Sequence, residues 1–264
     1  MSEIDDAPRV HALSGIHNFR DYGGYDAAAG RLKRGLLYRS GQHGGATTDD
    51  LAYIHALDIA TVIDLRGDTE RREMPCLRHP EFGAAVLFAP GETAGSELAP
   101  HEEAGKGIAT ADEARAAMTK LYANMPYRDV LIGSLRLYFE ALATRDGASL
   151  LHCLAGKDRT GLAAALLHSL LGVHADDMMA DYLLTNSAGD QKARIAAAAD
   201  SIRLRYGATI TDDAIATLMG VEAVYLDTAM AAIVERHGSV ARYAEDVLLV
   251  TPERRDAIEA RVVA

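Results

Sequence analysis

The sequence predicts an α/β fold: a central, largely parallel twisted sheet of about four strands flanked by helices, with a largely helical C-terminal part forming a lid or cover. Three observations point there. Strand-like segments are confined to the first 155 residues and alternate with helical ones, the pattern of a parallel sheet carrying helices on its faces. Ile59 to Leu65 is β-branched and apolar up to Asp64, as expected of a strand buried on both faces. From Gly172 onward the chain reads as helix after helix. We read residues 1–264 as a single domain, with an α/β core over 1–173 and a helical portion over 174–264 packed on it.

Taken in order, residues 1–14 read as a mobile lead-in. The mixed aromatic, charged and glycine residues of His17 to Gly24 suggest a short strand and turn, and Leu36 to Ser40 a second short strand. Thr47 to Leu57 predicts a helix, with Thr47 or Thr48 as its cap and acidic residues in its first turn. The strand Ile59 to Leu65 follows, then a short helix over Thr69 to Met74, halted by Pro75, and a short strand over Ala84 to Phe88. Residues 91–108 are long for a loop and rich in glycine, which marks them as functional or mobile. Helices are expected over Ala111 to Asn124 and Tyr127 to Thr144, split at Pro126. A strand from Ser149 to His152 then leads through a tight loop into a helix that ends at Gly172. The remaining helices are Ala175 to Leu184, Asp190 to Tyr206, Asp212 to Met219, Glu222 to Arg236, Ser239 to Leu248 and Pro252 to Val262, with Thr211 and Thr251 as caps and Pro252 at a first helical position.

Composition narrows the class. A 49% hydrophobic and 25% charged content is ordinary for a globular protein. The net charge of −11 argues against nucleic acid as a partner and against general attraction to anionic membranes. No apolar run approaches the roughly 20 residues that span a bilayer, so no stable membrane insertion is expected. Residues 1–10 lack the apolar core of a signal peptide, so the default expectation is a cytoplasmic protein; non-classical export would leave no readable trace. Two cysteines, Cys76 and Cys153, make no disulfide framework.

The stretch His152-Cys153-Leu154-Ala155-Gly156-Lys157-Asp158-Arg159-Thr160-Gly161 carries the chemistry. Strand, loop and helix in that order turn the backbone N–H groups of a helix N-terminus toward a tetrahedral oxyanion. Five residues separate Cys153 from Arg159. The helix dipole and Arg159 are both expected to favour a thiolate at Cys153. The loop is no nucleotide P-loop, because Asp158 stands where that motif needs Ser or Thr after the lysine. It is no redox pair either, since no second cysteine lies near.

These residue types fit hydrolysis of a phosphate monoester. Cys153 would attack phosphorus and form a phosphocysteine that water later hydrolyses. Arg159 offers a planar fork for two phosphate oxygens, and the backbone of Leu154, Ala155, Gly156, Lys157, Asp158 and Arg159 holds the rest. The Thr160 hydroxyl is placed to hydrogen-bond the sulfur. His152 either orients the loop through a backbone hydrogen bond or is structural. The general acid is Asp158 or Asp64, with Asp158 favoured for its place at the pocket mouth; their alternatives are a salt bridge to Lys157 or Arg159 for Asp158 and a solvated or salt-bridged role for Asp64. Lys157 contacts a second phosphate, as on an inositol ring, or steadies the loop. Cys76 is an ordinary isolated cysteine or an oxidation partner of Cys153. Metal and other cofactors are not called for. A non-catalytic phosphate reader, and sulfur or arsenate chemistry using Cys76 as second thiol, are the competing classes.

The loop resembles the signature of the bacterial tyrosine phosphatase family typified by the mycobacterial secreted protein tyrosine phosphatase B and the listerial lipid phosphatase. Asn18-Phe19-Arg20-Asp21, Tyr38-Arg39-Ser40, Asp64-Leu65-Arg66, Asp181-Tyr182-Leu183 with Asn186, and Gly220 to Leu226 with Glu222 and Tyr225-Leu226 look like further landmarks of that family, in the right order. The resemblance implies a cysteine-phosphatase fold with a helical lid, no metal, and activity on phosphotyrosine protein and often on phosphoinositides. It carries over Cys153 as nucleophile, Arg159 as phosphate clamp, Lys157 and Asp158 as functional loop residues and Asp64 as a further site carboxylate. An aspartate directly before the loop arginine is also similar to the myotubularin and Sac-type lipid phosphatases, which supports Asp158 as the acid. Residues 91–126 depart from the family's lid-associated insert. The oligomeric state is not legible.

Overall fold

The computed structural model describes residues 8–93, 107–189, 191–206 and 209–264. Most of the glycine-rich stretch 91–108 singled out in the sequence lies outside the described residues.

Five strands form the main sheet in the spatial order β1 (Arg20–Asp21), β4 (Leu37–Ser40), β7 (Ala148–His152), β5 (Ile59–Asp64), β6 (Ala85–Leu87). The four from β4 to β6 are parallel, and β1 joins the edge antiparallel to β4. The last strand in sequence, β7, is thus inserted between two earlier ones, and all five of its residues are buried. In open parallel sheets ligands sit beyond the carboxyl ends of the strands. Register places Ser40, His152 and Asp64 side by side at that edge.

Alternation along the strands divides the interior. Leu37, Ile63 and Leu151 face the larger core, and Tyr38, Val62 and Leu150 face a smaller one on the opposite side of the sheet. The smaller core is closed by α1 (Thr48–Ala56), whose N-cap Thr47 and Asp50 form a reciprocal capping box. The same Asp50 carboxylate accepts the Ser14 and Gly15 amides. Val10 bridges Arg20, so the expected mobile lead-in is in fact tied down from there on. A small hairpin of β2 (Asp26–Ala27) and β3 (Gly30–Arg31), unforeseen in the sequence, pairs its end with Val263.

A short helix, α2 (Asp68–Glu73), follows β5, and on the larger-core face lie α3 (Ala111–Asn124), α4 (Asp129–Thr144) and α5 (Asp158–Leu170). A 3-10 turn, Met125–Tyr127, occupies the expected split at Pro126, and α4 begins two residues later than expected. In α5 every residue but Ser169 is buried, which explains its uniformly apolar run. The C-terminal helices are α6 (Ala175–Leu183), α7 (Gln191–Tyr206), α8 (Asp212–Met219), α9 (Ala223–His237), α10 (Val240–Asp246) and α11 (Pro252–Val262). Helices α8 and α9 pack on α3, α11 on α4, and α10 on α5 and α9. Their apolar residues belong to the same cluster as the inner face of the sheet. Among the described residues no single helix is long and apolar enough to cross a membrane.

Candidate active site

Cys153 follows β7 directly and is buried. Gly156 turns the loop at φ +68°, and a Cβ there would stand 2.4 Å from the Ser40 carbonyl, so both backbone conformation and space demand glycine. Lys157 occupies the N-cap position of α5, and no side chain caps that helix. By contrast α1, α3, α8, α10 and α11 are capped by Thr47, Thr110, Thr211, Ser239 and Thr251. An N-terminus without a side-chain acceptor keeps its donors for a ligand.

Arg159 is pinned on one side of its fork. Nη2 donates to Glu70 Oε1 at 2.7 Å, and Nη1 donates to Glu70 Oε2 at 2.5 Å, Thr93 Oγ1 at 2.6 Å and the Leu65 carbonyl at 3.1 Å. Its Nε is buried and finds no partner among the described residues, and the Thr160 hydroxyl is in the same condition. Glu70, which the sequence reading did not single out, sits at the third position of α2, where its carboxylate also accepts the Gly67 amide. Its only sequence signal was that of a helix-start carboxylate.

The two aspartates differ in kind. Asp64 Oδ2 accepts from Arg66 Nη2 at 2.8 Å, and Oδ1 accepts from Arg66 Nε and the Arg66 amide at 2.9 and 3.0 Å. Burial by itself would raise the Asp64 carboxyl, but His152 and Arg66 outweigh it and hold it well below the usual carboxylate range. Asp158 instead accepts a hydrogen bond from the Tyr122 hydroxyl at 2.8 Å, and Tyr182 donates to Tyr122 at 2.8 Å. Burial pushes both tyrosines well above the ordinary phenol value, which keeps them protonated donors.

Lys157 Nζ lies 3.5 Å from Asp158 Oδ1 and donates to the carbonyls of Leu218 and Gly220 at the end of α8. It is 2% exposed, so its ammonium is turned into the helical layer. His152 approaches the Cys153 carbonyl with Nδ1 at 3.4 Å and stands 3.8 Å from Asp64; burial lowers its pKa to about 4, so it is neutral near pH 7.

Behind the loop lies a buried ion cluster built from the scattered landmarks. Asp181 accepts from Arg39 Nη1 at 2.7 Å and from Arg20 Nε at 3.2 Å. Asn18 Nδ2 and Arg39 Nη2 both donate to the Gly156 carbonyl, at 2.7 and 3.1 Å. Asn18, Arg20, Arg39 and Asp181 therefore fix the back of the turn from three separate elements. Asn186 pairs with both backbone groups of Val221, tying the end of α6 to the start of α9. Cys76 and Cys153 are both free thiols; the sulfur of Cys76 accepts from the His43 amide at 3.4 Å.

A profile of the tyrosine phosphatase family matches residues 11–264. The chain belongs to the tyrosine phosphatase family. A protein of Cupriavidus necator assigned by name to the tyrosine-protein phosphatases is 35% identical over 260 residues, covering 94% of this chain and 90% of the relative. The triple specificity protein phosphatase PtpB of Mycobacterium tuberculosis is 30% identical over 265 residues, covering 90% of this chain and 93% of that protein. The solved structure of TpbA from P. aeruginosa aligns with 79% of this chain and 97% of its own at 20% identity and a TM-score of 0.31, too low to bear on the argument. Membership makes this chain a phosphatase, and the α/β architecture with a mostly parallel sheet flanked by helices agrees with the fold read from the sequence.

Proposed function

We propose that the chain removes phosphate from phosphotyrosine in proteins through a phosphocysteine at Cys153. The observation that carries this reading is the pairing of a buried cysteine with a pinned arginine. Glu70 takes both Nη atoms of Arg159, leaving Nε toward a ligand, beside a helix start that no side chain caps. The Cys153 sulfur would form a bond to phosphorus as the phosphorus–phenolic oxygen bond breaks, and Asp158 would pass its proton to the departing oxygen. Water would then cleave the sulfur–phosphorus bond, returning a proton to Asp158. The Thr160 hydroxyl, buried without a partner, is the donor available to the sulfur.

Asp64 suits the acid role poorly, because a carboxylate bound twice by Arg66 stays ionised. Lys157 is spent on the carbonyls of Leu218 and Gly220, which favours loop support over contact with a second phosphate, and hence phosphotyrosine over phosphoinositide. Because these grips reach from the 1–173 core into the 174–264 helices, we read the two parts as one catalytic unit.

The test is turnover of p-nitrophenyl phosphate and a phosphotyrosine peptide, abolished in Cys153→Ser. Inorganic phosphate should also shield Cys153 from iodoacetate. Turnover that survives Cys153→Ser, or alkylation indifferent to phosphate, would overturn the reading. A phosphoinositide preference that is lost in Lys157→Ala would reverse the choice of substrate.

A further inference from the structure

A cavity of about 380 Å³ lies on the smaller-core face of the sheet, walled by Leu51 and Ile54 of α1, Val62 of β5, Leu150 of β7 and Phe82. No residue of the 153–160 loop lines it, so it is separate from the phosphate site. Part of its lining is polar. His43 is 1% exposed there, and half-buried Arg78 lies over the Phe82 ring with its guanidinium carbon 5.0 Å from the centroid.

Arg78 has an unusual set of partners. It donates to His43 Nδ1 at 3.1 Å and hydrogen-bonds the Cys76 side chain, and among the described residues no carboxylate pairs with it. Asp64, the carboxylate whose field reaches it, is bound bidentately by Arg66. Burial lowers the Arg78 pKa from its ordinary value, the mark of a cation short of compensation. The exposed residues Asp58 and Glu81 also line the cavity, with His55 3.5 Å from Glu81.

We propose that this cavity binds a medium-chain carboxylate, head group inward on Arg78 and hydrocarbon chain along the Val62–Leu150 floor. The arginine fork matches a carboxylate in two-point contact. The apolar walls accept a chain, and the volume falls within the roughly 300–1,000 Å³ range of small-molecule sites. The exposed Asp58 and Glu81 repel a head group left outside, which fixes the direction of binding.

The site backs onto the catalytic loop. Because Arg78 must donate, His43 Nδ1 accepts, and its Nε2–H donates to Ser40 Oγ at 3.0 Å; Ser40 in turn donates to the Gly41 carbonyl at 2.8 Å. The His43 ring lies 5.6 Å from that of His152, the residue before the nucleophile. A carboxylate drawing Arg78 away removes the first link of this chain.

The experiment is calorimetric titration of the full chain with octanoate, with and without saturating inorganic phosphate. One site is expected, unaffected by phosphate, at least tenfold tighter than for 1-octanol, and weakened at least tenfold in both Arg78→Gln and Ile54→Trp. If one variant fails to fold, as judged by near-UV circular dichroism, the other decides. Absence of binding, displacement by phosphate, equal affinity for octanol, or full affinity in the folded variants would each overturn the proposal.

Discussion

Asp64 at the end of β5 and Asp158 at the start of α5 are both almost fully buried, and have opposite prospects. Asp64 closes a central strand and is met by a guanidinium that cannot give up its charge. Asp158 opens a helix and is hydrogen-bonded by a phenol, with the Lys157 ammonium, itself held by two backbone carbonyls, 3.5 Å away. A carboxylate facing a fixed cation is locked in one protonation state. One facing a neutral hydroxyl keeps a hydrogen-bond partner in either state. The difference teaches that position at the sheet edge does not qualify a carboxylate for proton transfer; its neighbour does.

The sharpest way to break this comparison is substitution of each. Asp158→Asn should lower kcat on a phosphotyrosine peptide by about 100- to 1,000-fold. The loss should be smaller on p-nitrophenyl phosphate, whose leaving group needs no proton, and the alkaline limb of the pH–rate profile should vanish. Asp64→Asn should keep kcat within about tenfold but cost about 3 kcal/mol of stability by leaving Arg66 buried without its anion, measured by urea denaturation. Reversal of the two results would exchange their roles.

The next effect is on the support of Asp158. Tyr122→Phe removes two buried hydrogen bonds, to Asp158 and from Tyr182, each worth about 1 kcal/mol. It should lower kcat roughly fivefold with KM unchanged, the mark of a group that positions the acid and does not bind substrate. An unchanged kcat would make the tyrosine pair purely structural.

A smaller effect sharpens the account of Asp64. Its carboxyl is held below the usual range in the folded chain, so below about pH 4 the unfolded chain binds more protons. The stability this contributes is present above that pH and drains away as pH falls. His152, lowered to about 4 from an unfolded value near 6.5, acts in the same direction over the window above it. The urea midpoint should therefore decline from about pH 6.5 downward, and Asp64→Asn should flatten the most acid part of that decline.

Much of the fold was legible from residue types alone. Thr47, Thr211 and Thr251 cap as their side chains suggest, and β5 and β7 declare themselves by apolar runs of strand length. Other parts were hidden for physical reasons. Glu70 reads as an ordinary first-turn carboxylate, because nothing local shows that its other partner lies 89 residues away. Asn18, Arg20, Arg39 and Asp181 stood out only by resemblance, since charged residues give no local sign that they will be buried together. Besides Asp158, Lys157 reaches two backbone carbonyls, which no side-chain pattern encodes. The first two hairpin strands, two residues each, are too short to show a period.

The carboxylates beside the loop's cations have a consequence at a distance. Glu70 stands against Arg159 and Asp158 against Lys157, so their fields largely cancel a few ångströms out, while the molecule as a whole carries −11. An approaching dianion then meets repulsion until it is within reach of individual N–H groups. Added electrolyte, whose screening length shrinks to about 8 Å at physiological ionic strength, should weaken that repulsion. Capture at limiting substrate should speed up with salt, the reverse of a protein that draws its anions in by long-range attraction.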